Sequence, residues 1–84
     1  MKDWVGKNTV FIALFMQYCY PGTTRIKVAT TARRYYELCE NDLSCYLIVA
    51  TKRKQVTMIK AGTRECMEKR LSKIIRRSEK YKQL

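Results

Sequence analysis

The 84-residue chain contains no histidine, and several kinds of functional site depend on that residue. The usual base of Ser-His and Cys-His catalysis is absent, as are the histidine ligands of many zinc sites. Only three glycines are present, and they form no phosphate-binding loop. The seven carboxylates lie mostly among cations on predicted helix surfaces. The sequence therefore predicts a chain that is not an enzyme, with no catalytic residue, no metal and no cofactor.

The four cysteines form no CxxC pair. Their even number permits a disulfide framework in a short chain. However, Cys19, Cys45 and Cys66 lie in or beside apolar segments, where cysteine behaves as a small buried hydrophobic residue. We expect four free thiols and an intracellular protein. A secreted, disulfide-bonded protein is the alternative.

Long apolar runs are also missing. No run reaches the roughly 18 residues of a membrane-spanning helix, so no transmembrane segment is expected. The longest apolar stretch, residues 9–20, has the composition of a signal peptide's apolar region. Asp3 ahead of it, and the bulky Tyr18 and Tyr20 near its end, argue against that interpretation. Because this stretch is rich in β-branched and aromatic residues, it is predicted to be a buried central strand.

Acidic residues are few, and this sets the sign of the partner. The chain has 18 Lys and Arg against 7 Asp and Glu, a net charge of +11. Such a charge attracts polyanions, of which nucleic acid is the commonest. The length predicts one small domain over residues 1–84.

Patterns of turns and alternation divide the rest of the chain into short elements. Residues 20–23 contain Pro-Gly and predict a type II turn. A short helix over residues 32–39 is expected, capped by Thr30 or Thr31. Residues 44–51 are predicted as a strand, with a buried helix as the alternative. The remaining predicted strands are residues 24–30, which alternate cleanly, and residues 55–60.

Residues 63–84 are predicted to form an amphipathic helix. Its apolar stripe is expected to pack on a sheet face made by Ile26, Val28, Val56 and Met58. The expected fold is therefore α+β, a small antiparallel sheet of three or four strands covered by the C-terminal helix. At 100° per residue, the stripe consists of Met67, Leu71, Ile74, Ile75, Ser78 and Tyr81.

Basic residues form three clusters, which are the candidate phosphate contacts. They lie before the Tyr35–Tyr36 pair, in the predicted turn after residue 51, and on one face of the C-terminal helix. We expect a nucleic-acid-binding module for RNA or DNA, with an acidic protein surface as the alternative partner. One tyrosine of the pair is expected in the core and the other at its rim. The candidate residues are Arg33, Arg34, Lys52, Arg53, Lys54, Lys69, Lys73, Arg76, Arg77 and Lys80.

Residues 17–33 resemble a segment of the GTPase-activating subunit of the COPII inner coat. Gln17-Tyr18, Gly22 and residues 25–33 follow the QY, glycine turn and RIRVTT-AR strand of that family, and residues 67–81 look like a helix of its helical domain. The family's large domain set is absent, so its coat function is not carried over; a coat- or ribosome-associated protein-interaction module, whose basic face docks an acidic partner, is the alternative function. The family's catalytic arginine lies outside the matching stretch, so no such residue is assigned.

Residues 45–56 look like the second and third strands of a chemokine, a family in which a basic amphipathic helix also closes the chain. This resemblance implies an antiparallel sheet crossed by a helix and, as a third function, a secreted ligand. The sequence departs from the family because it has no paired cysteines near its start, and Cys66 falls later than the family's last cysteine.

Overall fold

A computed structural model of the chain describes the backbone of residues 3–53 and 56–82, and the side chains of residues 3–53 and 56–79. Two helices flank four strands in the order α1–β1–β2–β3–β4–α2. Among the described residues, no helix is both long and apolar enough to cross a bilayer. The elements are α1 (Asp3–Cys19), β1 (Thr24–Thr30), β2 (Arg34–Glu40), β3 (Cys45–Thr51), β4 (Met58–Gly62) and α2 (Arg64–Lys82).

The four strands form an antiparallel meander in the order β1-β2-β3-β4. Tyr36 lies opposite Val49, and Ile48 lies opposite Ile59, so each strand pairs with its neighbour in the chain. A bulge interrupts the β1–β2 pairing between Arg25 and Lys27. The predicted α+β class, with an antiparallel sheet and a C-terminal helix, is confirmed. Strand β3 also confirms the strand prediction for residues 44–51 over its helical alternative.

Residues 9–20 were predicted as a strand, and this prediction is wrong, because they belong to α1. The run is apolar on every face, so its pattern carries no period that separates helix from strand. Asn8, Ile12 and Met16 recur every four residues and are buried against the sheet. The preference of β-branched and aromatic residues for strands is weaker than this tertiary contact.

The helix predicted over residues 32–39 is also wrong, because these residues enter the turn before β2 and then β2 itself. Strand β2 is central and both of its faces are covered by helices, so all of Tyr35 to Cys39 is buried. A strand buried on both faces shows no polar–apolar alternation. The absence of alternation explains why the sequence did not indicate a strand here.

Helix α2 covers one face of the sheet, and α1 covers the other. Met67 and Leu71 of α2 are buried with side chains of β2 and β3, and Ile74 and Ile75 pack at the margin. The stripe prediction is confirmed for these four residues, while the Tyr81 side chain lies outside the described part. The set of residues predicted to form the sheet face under α2 is mostly wrong. Ile26 packs against the core that α2 covers, whereas Val56 packs in the opposite core, and Val28 and Met58 are partly exposed.

Two short connections set the ends of these elements. Gly22 has a φ of 82°, as the predicted type II turn requires at its third position. Strand β4 begins and ends later than the strand predicted over residues 55–60, because it runs over Met58–Gly62. The Thr63 hydroxyl accepts a hydrogen bond from the Cys66 amide at 3.2 Å, which caps the N-terminus of α2.

Candidate nucleic-acid interface

The antiparallel meander gathers the basic clusters at one end of the molecule. Arg34, the first residue of β2, lies directly opposite Thr51, the last residue of β3. The β1–β2 turn carrying Arg33 therefore lies beside the loop that begins with Lys52 and Arg53. We call this the basic end. Two of the three predicted clusters are distant in the sequence, and they lie side by side here because the pairing of β2 with β3 brings them together.

The C-terminal half of α2 reaches the same end. Helix α2 begins next to Gly62, which pairs with Cys45 at the far end of the sheet, and it runs back toward the β1–β2 turn. A cavity of about 720 Å³ lies between this turn and the helix. Arg33, Arg34 and Arg77 all line the cavity. Its remaining lining combines hydroxyl and apolar groups, from Thr31, Ala32, Tyr36, Ile74 and Ser78.

The turn that presents Arg33 and Arg34 is held by local hydrogen bonds. The Thr31 amide donates to the Arg34 carbonyl at 2.9 Å, and the Arg34 amide donates to the Thr31 hydroxyl at 3.2 Å. Both arginines are exposed. A turn closed in this way fixes the backbone while the guanidinium groups stay in solvent. Arginine in such a position presents a fork of donors that matches phosphate oxygens.

The other candidate residues are placed less uniformly. Lys73 and Arg76 are exposed on the half of α2 that approaches the basic end. Lys69 lies nearer the start of the helix, where its ammonium forms a 3.3 Å ion pair with Glu65. Lys54 and the side chain of Lys80 lie outside the described part of the chain. The structure therefore brings Arg33, Arg34 and Arg77 together at the cavity and places Lys52 and Arg53 on the adjacent loop. Lys73 and Arg76 are exposed on the same helix as Arg77, and Lys69 is separated from this group.

Four of the seven acidic residues lie at the opposite end, whereas Asp3 of α1 and Glu79 of α2 lie in the helix halves nearer the basic end. Glu40 ends β2, Asp42 lies in the following turn, and Glu65 and Glu68 lie in the first turns of α2. Arg64 is placed among them, with ion pairs of 3.4 Å to Glu40 and 3.1 Å to Glu68. We call this the acidic end. The partial separation of charge along the molecule results from the fold, because the carboxylates of the acidic end come from two segments that are distant in the sequence.

The sequence reasoning missed a buried carboxylate. Glu37 is 1% exposed, on the α1 side of β2. The Arg25 guanidinium donates to its Oε1 at 2.8 Å, the Tyr35 hydroxyl donates to its Oε2 at 2.7 Å, and the Cys39 thiol donates to Oε1 at 3.3 Å. The Thr9 hydroxyl of α1 donates to the Tyr35 oxygen at 3.2 Å. If this segment had been predicted as a strand, its alternation would have placed Tyr35, Glu37 and Cys39 on one face, and the sequence could then have indicated the cluster.

The environment of this cluster keeps the Tyr35 phenol and the Cys39 thiol protonated. Burial raises the pKa of Tyr35 to about 12, and the hydrogen bond to Glu37 adds to the effect. Burial and the charge of Glu37 raise the pKa of Cys39 to about 12. The hydrogen bond to Glu37 raises the pKa of Arg25 above its ordinary value. Since the thiol and the phenol are neutral at pH 7, neither is an activated nucleophile or base. The cluster joins α1 to the sheet.

Several other sequence predictions are corrected by burial. Tyr35 and Tyr36 are 0% and 2% exposed and point to opposite faces of the sheet, so both are core residues and neither is at the rim. Cys45 is buried as predicted, but the same prediction is wrong for Cys19 and Cys66, which are exposed. Cys39, for which burial was not predicted, is buried as well. All four thiols are unpaired in the structure, and their oxidation state in the cell stays a prediction. In the described part of the chain, no cluster of three potential ligands from Cys, Asp and Glu is suited to a metal.

Comparison with known proteins does not assign a family. No protein-family model, no curated protein and no solved structure matches the chain. The resemblances to the coat subunit and to chemokines therefore stay predictions.

Proposed function

We propose that this protein binds the phosphate backbone of nucleic acid, RNA or DNA, with its basic end. The observation that carries the proposal is the convergence of Arg33, Arg34 and Arg77 on one cavity, with Lys52 and Arg53 on the adjacent loop. Guanidinium groups held on a fixed turn and a helix suit bidentate phosphate contact. An array of this kind tracks a backbone and carries little base specificity.

The separation of charge supports a site at one end in preference to a uniformly basic surface. The acidic end, where Glu40, Asp42, Glu65 and Glu68 surround Arg64, attracts the same polyanion less strongly than the basic end does. The basic end therefore attracts and orients a polyanion as it approaches. We also infer that the protein is not an enzyme, since the chain has no histidine and its buried thiol and phenol are protonated at neutral pH. An intracellular location is part of this proposal.

A salt-titrated binding experiment tests the proposal. Fluorescence anisotropy with labelled single-stranded and duplex RNA and DNA would compare the wild type with the triple variant Arg33→Gln/Arg34→Gln/Arg77→Gln. We expect the variant to bind at least about 30-fold more weakly at about 100 mM salt. The slope of log K against log salt should become shallower by roughly 0.7 to 0.9 for each lost phosphate contact, or about 2 to 3 in total.

A second triple variant, Lys60→Gln/Arg64→Gln/Lys69→Gln, controls for net charge. It also loses three positive charges, but from residues in the half of the molecule nearer the acidic end. We expect it to change affinity by less than about threefold and to keep the salt slope. If both triple variants lose affinity equally, attraction is diffuse and the basic end is not the site. Undetectable binding at low salt would reject nucleic acid and favour the acidic protein surface as partner.

A further inference from the structure

Helix α1 is apolar on its solvent side as well as on its sheet side. Val10, Leu14 and Tyr18, spaced four residues apart, are 62%, 62% and 89% exposed. They form a stripe opposite Asn8, Ile12 and Met16, which face the sheet. From Asn8 to Cys19 the helix contains no charged residue. In a chain with 30% charged residues, an uncharged outer helix face is not needed for folding alone.

A groove runs along this face. It has a volume of about 640 Å³, and Phe11 and Phe15 form part of its wall, with their rings stacked at a centroid distance of 6.1 Å. The groove wall and the exposed parts of Val10, Leu14 and Tyr18 form one contiguous apolar patch of roughly 400 Å². This size matches the largest apolar patch on a typical soluble protein, and such patches are often functional. We define the α1 stripe as Val10, Phe11, Leu14, Phe15 and Tyr18.

We propose that the α1 stripe is the interface of a two-fold symmetric homodimer, in which the two α1 helices pack antiparallel. The area fits this occupant. A standard interface buries about 800 Å² per partner, with an apolar core inside a polar rim. A patch of roughly 400 Å² supplies such a core, and neighbouring groups of α1 and its flanking turns supply the rim. Residues four apart form the ridges that interlock in the commonest class of helix packing.

Charge favours the antiparallel arrangement over a parallel one. The N-terminal half of α1 lies at the basic end, because the Asn8 amide donates to the Thr51 carbonyl. The C-terminus of α1 leads into β1 and so lies at the acidic end. Two parallel helices would place both basic ends side by side, at a net charge of +11 for each chain. An antiparallel pair sets each basic end beside the acidic end of the other copy and leaves both basic ends accessible. With the symmetry axis near Leu14, Tyr18 of one copy meets Val10 of the other.

The mass of the protein in solution tests the interface. At about 100 µM and about 300 mM salt, light scattering should give twice the 10.0 kDa chain mass for the wild type. Leu14→Lys should give a single-chain mass, with dimer dissociation at least about 30-fold easier. Leu43→Lys is the matched control, because Leu43 is 86% exposed in the β2–β3 turn and lines a pocket with Thr63 and Arg64 at the start of α2, so this variant should remain dimeric. Circular dichroism would verify that both variants are folded.

Cross-linking tests the orientation. In a variant with Cys19 and Cys66 replaced by serine, Leu14→Cys should form a disulfide-linked dimer on oxidation, because position 14 lies near the symmetry axis. In a variant that retains Cys19, with only Cys66→Ser, antiparallel helices hold the two Cys19 thiols at opposite ends and no cross-link should form. A Cys19 cross-link would mean parallel helices and would overturn the arrangement. A monomeric wild type, or a dimeric Leu14→Lys variant, would overturn the interface, even if the monomer bound anionic vesicles through the same stripe.

Discussion

At the residue scale, Glu37 and Arg25 form an ion pair whose two members differ greatly in their access to water. The Glu37 side chain is 2% exposed, while the Arg25 side chain is 37% exposed. An unpaired carboxylate would be left in a site without solvent, whereas an unpaired guanidinium would still be partly hydrated. Removing the cation should therefore be the more damaging change.

This asymmetry gives the first prediction. Arg25→Met should lower the free energy of unfolding by about 3 kcal/mol, because it strands the buried Glu37 charge. Glu37→Gln should lower it by only about 1–2 kcal/mol, since a neutral amide keeps part of the hydrogen bonding. Urea denaturation at neutral pH measures both. Lys27→Met, an exposed cation on the same strand, is the control and should change stability by less than about 0.5 kcal/mol. A larger loss in Glu37→Gln than in Arg25→Met would contradict the assignment.

The neighbours of Glu37 give a second prediction, in the alkaline range. Tyr35 and Cys39 have pKa values of about 12 in the folded protein, above their ordinary values of 10.0 and 9.0. The folded chain holds these protons at pH values where the unfolded chain has lost them. The resulting stabilisation is complete below about pH 9 and is lost as the pH rises toward about 12.

The Tyr35→Phe variant isolates one of these two contributions. Its free energy of unfolding should fall less steeply than that of the wild type between about pH 9 and pH 12, with a difference on the order of 1–2 kcal/mol over that range. Thermal or urea unfolding at a series of alkaline pH values provides the measurement. Parallel curves for wild type and Tyr35→Phe would show that the phenol is not buried.

At the element scale, two glycines are expected to respond to the same substitution with opposite signs. Gly22 has a φ of 82° in the turn between α1 and β1, a conformation in which a Cβ atom is strained. Gly6 lies inside α1, where an added Cβ meets nothing within 4 Å. Gly22→Ala should destabilise the protein by about 1–2 kcal/mol. Gly6→Ala should stabilise it by up to about 1 kcal/mol through higher helix propensity. Equal effects, measured by urea denaturation, would exclude this turn geometry.

The same scale shows which elements were predictable from the sequence and which were not. The sequence of β1 alternates and that of α2 has an apolar stripe, so both elements carry a recognisable period, although in the structure β1 turns Ile26 and Ala29 toward the core and leaves Val28 exposed. Helix α1 and strand β2 lack such patterns, because β2 is covered on both faces and α1 is apolar both toward the sheet and toward solvent. Both wrong predictions have one physical cause. Helix α1 covers the sheet face opposite α2, and the sequence did not indicate this second helix.

The candidate site follows the same division. The clusters at Arg33–Arg34, at Lys52–Arg53 and on α2 are visible in the sequence as runs of charge. Their meeting at one end depends on the pairing of Arg34 with Thr51, which no local pattern specifies. The exclusion of Lys69 likewise depends on where α2 begins, beside the acidic end. Residue type identified the candidates, and topology selected among them.

At the scale of the whole molecule, the uneven charge predicts how stability responds to salt. Repulsion among the cations of the basic end opposes folding, while the buried Arg25–Glu37 pair is little screened. Raising NaCl from about 20 mM to about 300 mM should therefore stabilise the wild type by roughly 1 kcal/mol, or about 4–8 °C in Tm. Arg33→Gln/Arg34→Gln/Arg77→Gln should lose most of this response, and Lys60→Gln/Arg64→Gln/Lys69→Gln should keep it. A Tm that falls as salt is added would contradict this view.

The meander has a kinetic consequence as well. Because every strand pairs with its immediate neighbour in the chain, the sheet is assembled from hairpins whose loops are short, and such low contact order is associated with rapid folding. The docking of α1 is different, since its Asn8 contacts Thr51 across 43 residues of chain. Closing that long loop is expected only after the three hairpins exist. The sheet and α2 would then form the folding nucleus, and the N-terminal helix would complete the core as the last step.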